Sequence, residues 1–232
     1  MSSLEMRAAK ARSAGLLGEE YWLGTVLRWL SEFSGYLAFY LIDSWLPAHL
    51  KQIGLSTRDS SQVSSMFQFD ALGGAVPFAV LVGRYNVASV VAGAFGAGSL
   101  LVTALGVSEM TPWCAGVVFL SGLTVGGPLV CVNTIPGAFY STALRATGCG
   151  WNVAIGWLGS IIGSSLIGMV VLTGFSFRFT CVLSVIPLLI ACICMTVMAP
   201  VLSSRLRMQH ELGASLETLS AGDPTLANGT VR

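Results

Sequence analysis

FTCVLSVIPLLIACICMTVMAPV, residues Phe179–Val201, runs without a single charged side chain. A helical residue rises about 1.5 Å, so about 20 apolar residues cross a hydrocarbon core about 30 Å thick. This stretch is long enough to do so. Working outward from it, five more stretches meet the same requirement: Tyr21–Pro47, Ser61–Gly83, Val87–Gly106, Trp113–Tyr140 and Gly150–Leu172. The breaks between them carry charges or turn formers, at Lys51–Asp59, Arg84–Asn86, Glu109–Pro112, Ser141–Gly148 and Gly174–Arg178. Lipid offers backbone groups no hydrogen bonds, and no strict two-residue alternation marks a barrel, so the spans are helices. The expected fold is all-α: a polytopic membrane bundle of six transmembrane helices.

Composition agrees. Hydrophobic residues make up 54% of the chain and charged residues 10%, whereas soluble domains carry roughly a quarter charged residues. The formal net charge is +1, which gives no basic surface for nucleic acid. With both ends inside, the cytoplasmic side holds Arg7, Lys10, Arg12, Arg28, Arg84, Arg145, Arg205, Arg207 and Arg232, and the outer side only Lys51, Arg58 and Arg178. Basic residues accumulate in cytoplasmic loops, so both termini are expected in the cytoplasm. Residues 1–20 read as a cytoplasmic arm without a secretory signal, 21–201 as the six-helix domain, and 202–232 as a polar, disordered tail.

Charges inside a membrane are functional candidates, because each costs at least about 2.5–3.5 kcal/mol to insert. Arg28 and Glu32 stand one turn apart on the first span and could form a local ion pair. Asp43, eleven residues beyond Glu32, returns to nearly the same face, so a polar stripe should face protein or water. Asp70 lies near the middle of the second span with no basic neighbour in sequence. It could carry a proton, or be a protonated carboxyl bonded to an adjacent helix. The glycines of the fourth and fifth spans, including Gly159 and Gly163, suit close helix packing.

Other chemistry has no footing. The six cysteines, Cys114, Cys131, Cys149, Cys181, Cys192 and Cys194, lie in or beside spans and read as small hydrophobes. His49 and His210 are isolated, so no metal site is expected, and no cofactor is implied. P-loop, HExxH, GxSxG and paired CxxC patterns are missing, and no convincing internal repeat is found. Nothing argues for an enzyme.

One segment is specific: Phe139-Tyr140-Ser141-Thr142-Ala143-Leu144-Arg145-Ala146-Thr147-Gly148-Cys149-Gly150-Trp151. It resembles the loop between helices ten and eleven of the aromatic acid:proton symporters of the major facilitator superfamily, where the pattern is roughly Tyr-Pro-Thr-x-x-Arg-x-Thr-Gly-x-Gly-Trp. The likeness continues through Gly156, Leu158, Gly159, Ser160 and Gly163. Upstream, Ser44-Trp45-Leu46-Pro47 with Gly54-Leu55-Ser56 resembles the end of helix seven. Phe67, Gln68 and Gly74 fit helix eight, and Gly122 and Asn133 fit helix ten. The resemblance covers residues 20–200 and implies the C-terminal six-helix half of a twelve-helix carrier, with residues 1–20 equivalent to the central loop.

The family implies import of benzoate-like or other small organic anions with protons, by alternating access, across the plasma (inner) membrane. The chain departs from the pattern in three places. Between helices eight and nine the family's Asp-Arg-Phe-Gly-x-basic-basic reads Gly83-Arg84-Tyr85-Asn86-Val87-Ala88-Ser89, the family's arginine in helix eleven is Trp157, and Asp70 stands where the family has glycine. The expected substrate and proton pathway comprises Gln68, Asp70, Asn133 and Trp157, with Glu32 and Asp43 as secondary candidates. Asp70 would carry the proton, Gln68 and Asn133 would donate hydrogen bonds, and Trp157 would stack on a ring. Arg84, Arg145, Thr147 and Gly148 form the cytoplasmic loop motif, with Arg145 anchoring the loop to a helix end. Expected partners are the bilayer, an organic anion with a proton, and either a separate N-terminal half or a second copy of the chain. The alternative is a truncated or split fragment without transport of its own.

Overall fold

A computed structural model describes residues 15–52, 56–107, 114–172 and 177–222. Among them the helices are α1 (Trp22–Gln52), α2 (Thr57–Val82), α3 (Val87–Val107), α4 (Cys114–Val132), α5 (Ile135–Phe139), α6 (Thr142–Leu172) and α7 (Phe177–Gly222). The short α5 continues α4 after a turn at Asn133–Thr134, and together they make one crossing, Gly116–Phe139. Among the described residues the chain is an all-α bundle, and the long helices α1 and α6 stand beside four crossings of membrane length and apolar composition.

Four crossings are apolar enough to enter a membrane on composition alone: Thr57–Val82, Val87–Gly106, Gly116–Phe139 and Arg178–Met208. The other two, α1 and α6, carry most of the buried polar residues, and they pack principally on each other. Thr25, Arg28, Ser31, Glu32 and Ser34 of α1 and Asn152 and Ser160 of α6 are all buried. Their polar faces are therefore covered by protein. α1 also packs on α7, α7 on α3, α3 on α4, and α4 on α2. Phe95, Leu188, Met195 and Met198 fill the core between α3 and α7.

Glycine sets how closely α1 and α6 approach. A Cβ on Gly159 would collide with the backbone carbonyl of Phe33, and one on Gly163 with that of Leu37. A Cβ on Gly156 would press on Glu32 Cγ and the Tyr36 ring at 3.2 Å. Gly156, Gly159 and Gly163, on one face of α6, thus bring the two backbones into contact, the packing role their spacing suggests.

Several boundaries move from their expected places. Pro47 lies inside α1 and does not end it. The break expected at Ser141–Gly148 shrinks to Ser141, whose carbonyl accepts from the amides of Leu144 and Arg145 at 3.0 and 2.9 Å and so opens α6 early. In place of the disordered tail expected from 202, α7 stays helical through Gly222, because Leu206, Met208, Gln209, Glu211 and Leu212 are good helix formers. Residues 223–232, and residues 1–14 of the expected arm, lie outside the described residues. At the start of α3, Asn86 Oδ1 accepts from Ala88 N at 2.8 Å. Its Nδ2 donates to the Ala199 carbonyl at 3.2 Å and to Ser203 Oγ at 2.7 Å, which ties α3 to α7.

Replacing Gly159 by leucine should cost about 1–3 kcal/mol through overpacking, read as a lower melting temperature in detergent. Leu158→Ala, on the exposed side of the same helix, should change stability by no more than about 0.5 kcal/mol.

Candidate functional site

Three groups of side chains stand out along α1. The first closes the end at which α1 begins. Arg28 is fully buried, and its Nη2 donates to the Tyr140 hydroxyl at 2.8 Å. Its guanidinium also lies over the Tyr140 ring at 4.6 Å and the Phe139 ring at 5.5 Å. Thr25 Oγ1 lies 2.8 Å from the same Tyr140 hydroxyl and donates to the Leu16 carbonyl at 2.8 Å. A hydroxyl has one proton to give, so the chain runs in one direction: Arg28 donates to Tyr140, Tyr140 to Thr25, and Thr25 to Leu16. A Cβ on Gly148 would overlap the Tyr140 ring, and one on Gly24 the Phe139 ring, so both rings sit directly on helix backbones. Arg205 of α7 completes this end. It pairs with Glu20 at 2.8 Å and stacks on Tyr21 at 4.3 Å.

The second group is the buried carboxyl of Glu32. Neither of its oxygens has a hydrogen-bond partner, and no ion pair with Arg28 forms within 4 Å. The expected Arg28–Glu32 pair is absent because Arg28 is held by Tyr140 instead. Nε and Nη1 of Arg28 are also unpartnered, as is Asn152 Oδ1. The amides of Asn152 and Asn133 stand beside Glu32 without closing a hydrogen bond of normal geometry. They meet each other, Asn152 Nδ2 donating to Asn133 Oδ1 at 3.5 Å, and Asn133 Nδ2 donates to the Leu129 carbonyl at 3.0 Å and the Tyr36 hydroxyl at 3.4 Å.

Aromatic rings continue from this polar patch. Tyr36 and Tyr40 stack 6.3 Å apart, and the Trp157 ring lies 6.4 Å from each. Beside them opens a cleft of about 300 Å³ lined by Tyr36, Phe39, Tyr40, Gly126, Leu129, Val130 and Asn133. Trp157 is 53% exposed. The cleft has flat rings, apolar walls and an amide, the features that suit a small aromatic molecule with a polar substituent.

The third group lies further along α1, where Gln68 Nε2 donates to both oxygens of Asp43 at 3.0 and 3.3 Å. The structure thus joins Gln68 to Asp43, brings Asn133 beside Glu32 without a hydrogen bond, and sets Trp157 against the α1 tyrosines. Asp70 is on α2, and its side chain lies outside the described residues. Arg84 and Arg145 are exposed. Thr147 borders an open cleft with Gly150, Trp151 and Ala154. Among the described residues no group of three or more His, Cys, Asp or Glu is placed to hold a metal. Cys131, Cys181 and Cys194 are buried, and Cys149 and Cys192 half-buried, all as free thiols.

Four participants escaped the sequence reading: Tyr36, Tyr40, Tyr140 and Asn152. A signal existed for two of them, since Tyr36 and Tyr40 follow Glu32 at successive steps of four, along the stripe already drawn to Asp43. Tyr140→Phe removes the acceptor for Arg28 and the donor for Thr25. It should cost about 1–3 kcal/mol, measured as a loss of thermal stability in detergent that Tyr85→Phe, on an exposed ring, does not share.

The profile of the Major Facilitator Superfamily matches residues 28–222. Among characterised proteins the chain is 33% identical over 166 residues to a gallate transporter of Pseudomonas putida, covering 71% of this chain and 37% of the relative. It is 32% identical over 172 residues to a 4-hydroxybenzoate transporter of Acinetobacter baylyi, covering 74% and 37%. To the 4-hydroxybenzoate transporter of Pseudomonas putida it is 33% identical over 164 residues, covering 69% and 36%. The chain therefore spans less than two-fifths of the length of these three relatives. Its bundle of membrane-length helices, the glycine-mediated contact of α1 with α6 and the match over residues 28–222 lead to one assignment: this chain belongs to the Major Facilitator Superfamily.

Proposed function

We propose that this chain is a transporter of small aromatic carboxylates, or the C-terminal half of one, coupling their movement to protons by alternating access. The observation that carries this reading is the cleft lined by Tyr36, Phe39, Tyr40 and Asn133, with the Trp157 ring packed against both tyrosines, next to the buried Glu32 and Asn152 within a membrane bundle. The gallate and 4-hydroxybenzoate transporters to which the chain is similar support it. In a complete carrier the substrate lies near midplane between two six-helix halves that rock against each other. Trp157 and Tyr40 would stack on the ring of the substrate, and Asn133 would hydrogen-bond its polar substituent. Glu32, Asp43 and Asp70 are the carboxyls available to a proton, and Gln68 would orient Asp43.

The other half would be a separate six-helix N-terminal chain or a second copy of this one. Residues 1–20 would take the place of the central loop. The protein would lie in the plasma membrane with both termini cytoplasmic, as the distribution of Lys and Arg favours. The second reading is a fragment with no transport of its own. The observation on its side is that the cleft is open and Trp157 is uncovered within this chain alone.

Uptake of labelled 4-hydroxybenzoate into proteoliposomes under an inward proton gradient tests both readings, with this chain alone and with a six-helix N-terminal half co-reconstituted. Gradient-dependent uptake by either preparation supports transport, and none in either supports the fragment. Where uptake is seen, Trp157→Ala and Asn133→Ala should each lower it at least about tenfold, the scale of a lost stacking or buried hydrogen-bond contact. Asp70→Asn should abolish its dependence on the gradient. Uptake with an unchanged pH profile in that variant would remove Asp70 from the proton pathway.

A further inference from the structure

Glu32 and Arg28 leave unusual loose ends. A buried carboxyl whose two oxygens have no partner sits one helical turn from a buried guanidinium with two unpartnered nitrogens. Residues four apart on a helix lie close enough for their side chains to meet. Yet the guanidinium points to the neutral Tyr140 hydroxyl at 2.8 Å. An ionised carboxylate buried without a partner is strongly disfavoured. An ionised Glu32 would therefore draw Arg28 away from Tyr140, while a protonated Glu32 makes no such demand. The arrangement described is the one that fits the protonated acid.

We propose that Glu32 is a proton-binding residue of this protein, and that Arg28 is its switch, bound to Tyr140 when Glu32 is protonated and to the Glu32 carboxylate when the proton is gone. The proton leaves Glu32 to water, and the new carboxylate is neutralised by Arg28 in a buried pair. No other bond is made or broken. Tyr140 then loses its donor, and the chain through Thr25 to the Leu16 carbonyl loses the contact that fixes it. The charge on Glu32 is thereby linked to the segment that leads into α1. This deepens the proton coupling proposed above, and rests on it for its role in transport, but the switch itself can be read without transport.

The surroundings contain few competitors. α6 presents Asn152 and, near Arg28, Cys149, and the turn between α4 and α5 presents Asn133. α1 itself adds Tyr36. α7 presents Arg205, already committed to Glu20 and Tyr21. α2 meets α1 further out, where Gln68 holds Asp43. Arg28 is thus the cation within reach of Glu32 among the described residues.

The test uses the purified full chain in lipid nanodiscs. Infrared difference spectra across a pH titration should show the C=O band of a protonated buried carboxyl disappear as pH rises, and Glu32→Gln should lack that band. In parallel, hydrogen–deuterium exchange of residues 15–27, corrected for the chemical rate at each pH, should rise about tenfold over the same interval. Glu32→Gln should stay slow throughout, Tyr140→Phe fast throughout, and Arg28→Met should show no step. Should Glu32→Gln not fold, Glu32→Asp substitutes, and its band must shift. A band that persists in Glu32→Gln, or stays unshifted in Glu32→Asp, overturns the assignment of the proton. An exchange step in Glu32→Gln like that of the unmodified chain overturns the switch. Neither readout depends on uptake, so failure of the transport reading leaves both results standing.

Discussion

A helix that carries an arginine and a glutamate can lie in hydrocarbon only if protein covers both. That constraint organises this bundle. α1 holds Arg28 and Glu32 fully buried, and α6 is the helix chiefly responsible for covering them. It can do so because Gly156, Gly159 and Gly163 let its backbone reach that of α1. A larger residue at any of the three would hold the helices apart and admit lipid to charges it cannot solvate. The remaining crossings are apolar enough on composition alone to enter a membrane, and α7, α2 and α4 pack on α1.

The membrane-spanning pattern was legible because it rests on a gross quantity, the length of each apolar run. The six runs read from Tyr21 to Val201 all correspond to helices. The glycine spacing on α6 was legible for a similar reason, since residues three and four apart share a face whatever the rest of the fold does. Boundaries were less legible. The Ser141–Gly148 stretch looked like a loop because Arg145 and Thr147 are polar, yet one carbonyl at Ser141 is enough to start α6 there. Past Val201 polarity alone suggests disorder. A membrane helix that emerges into water needs only helix-forming residues to continue, and α7 has them through Gly222.

The site was legible in its charges and illegible in their partners. Arg28, Glu32 and Asp43 stood out because charges are costly in a membrane. What each one binds depends on residues brought near by folding: Tyr140 is 112 positions from Arg28, and Gln68 is 25 from Asp43. Local spacing favoured an Arg28–Glu32 pair, and tertiary structure replaced it with a tyrosine seated against Gly148. That glycine had been marked only as part of a loop motif, and its physical reason is the ring it admits. Neutral polar residues such as Asn152 give no sign in sequence, since an asparagine in a span serves equally for packing or for a site.

The two sides of α1 also differ in a way that bears on coupling. Glu32 is sealed between α1, α4 and α6, while Trp157, less than one turn beyond Gly156 on α6, is open. Tyr36 belongs to both environments, because its hydroxyl meets Asn133 and its ring meets Trp157. A molecule resting on Trp157 and Tyr40 would thus be one side chain away from the buried carboxyl, without touching it. Under the transport proposed above, such a separation would keep a substrate anion from direct repulsion by an ionised glutamate, and would still let each influence the other through the position of one ring and one amide. Asn133 interrupts α4 just before α5, so the residue that joins the two environments also sits at the break in its helix, where a small displacement requires the least rearrangement of backbone hydrogen bonds.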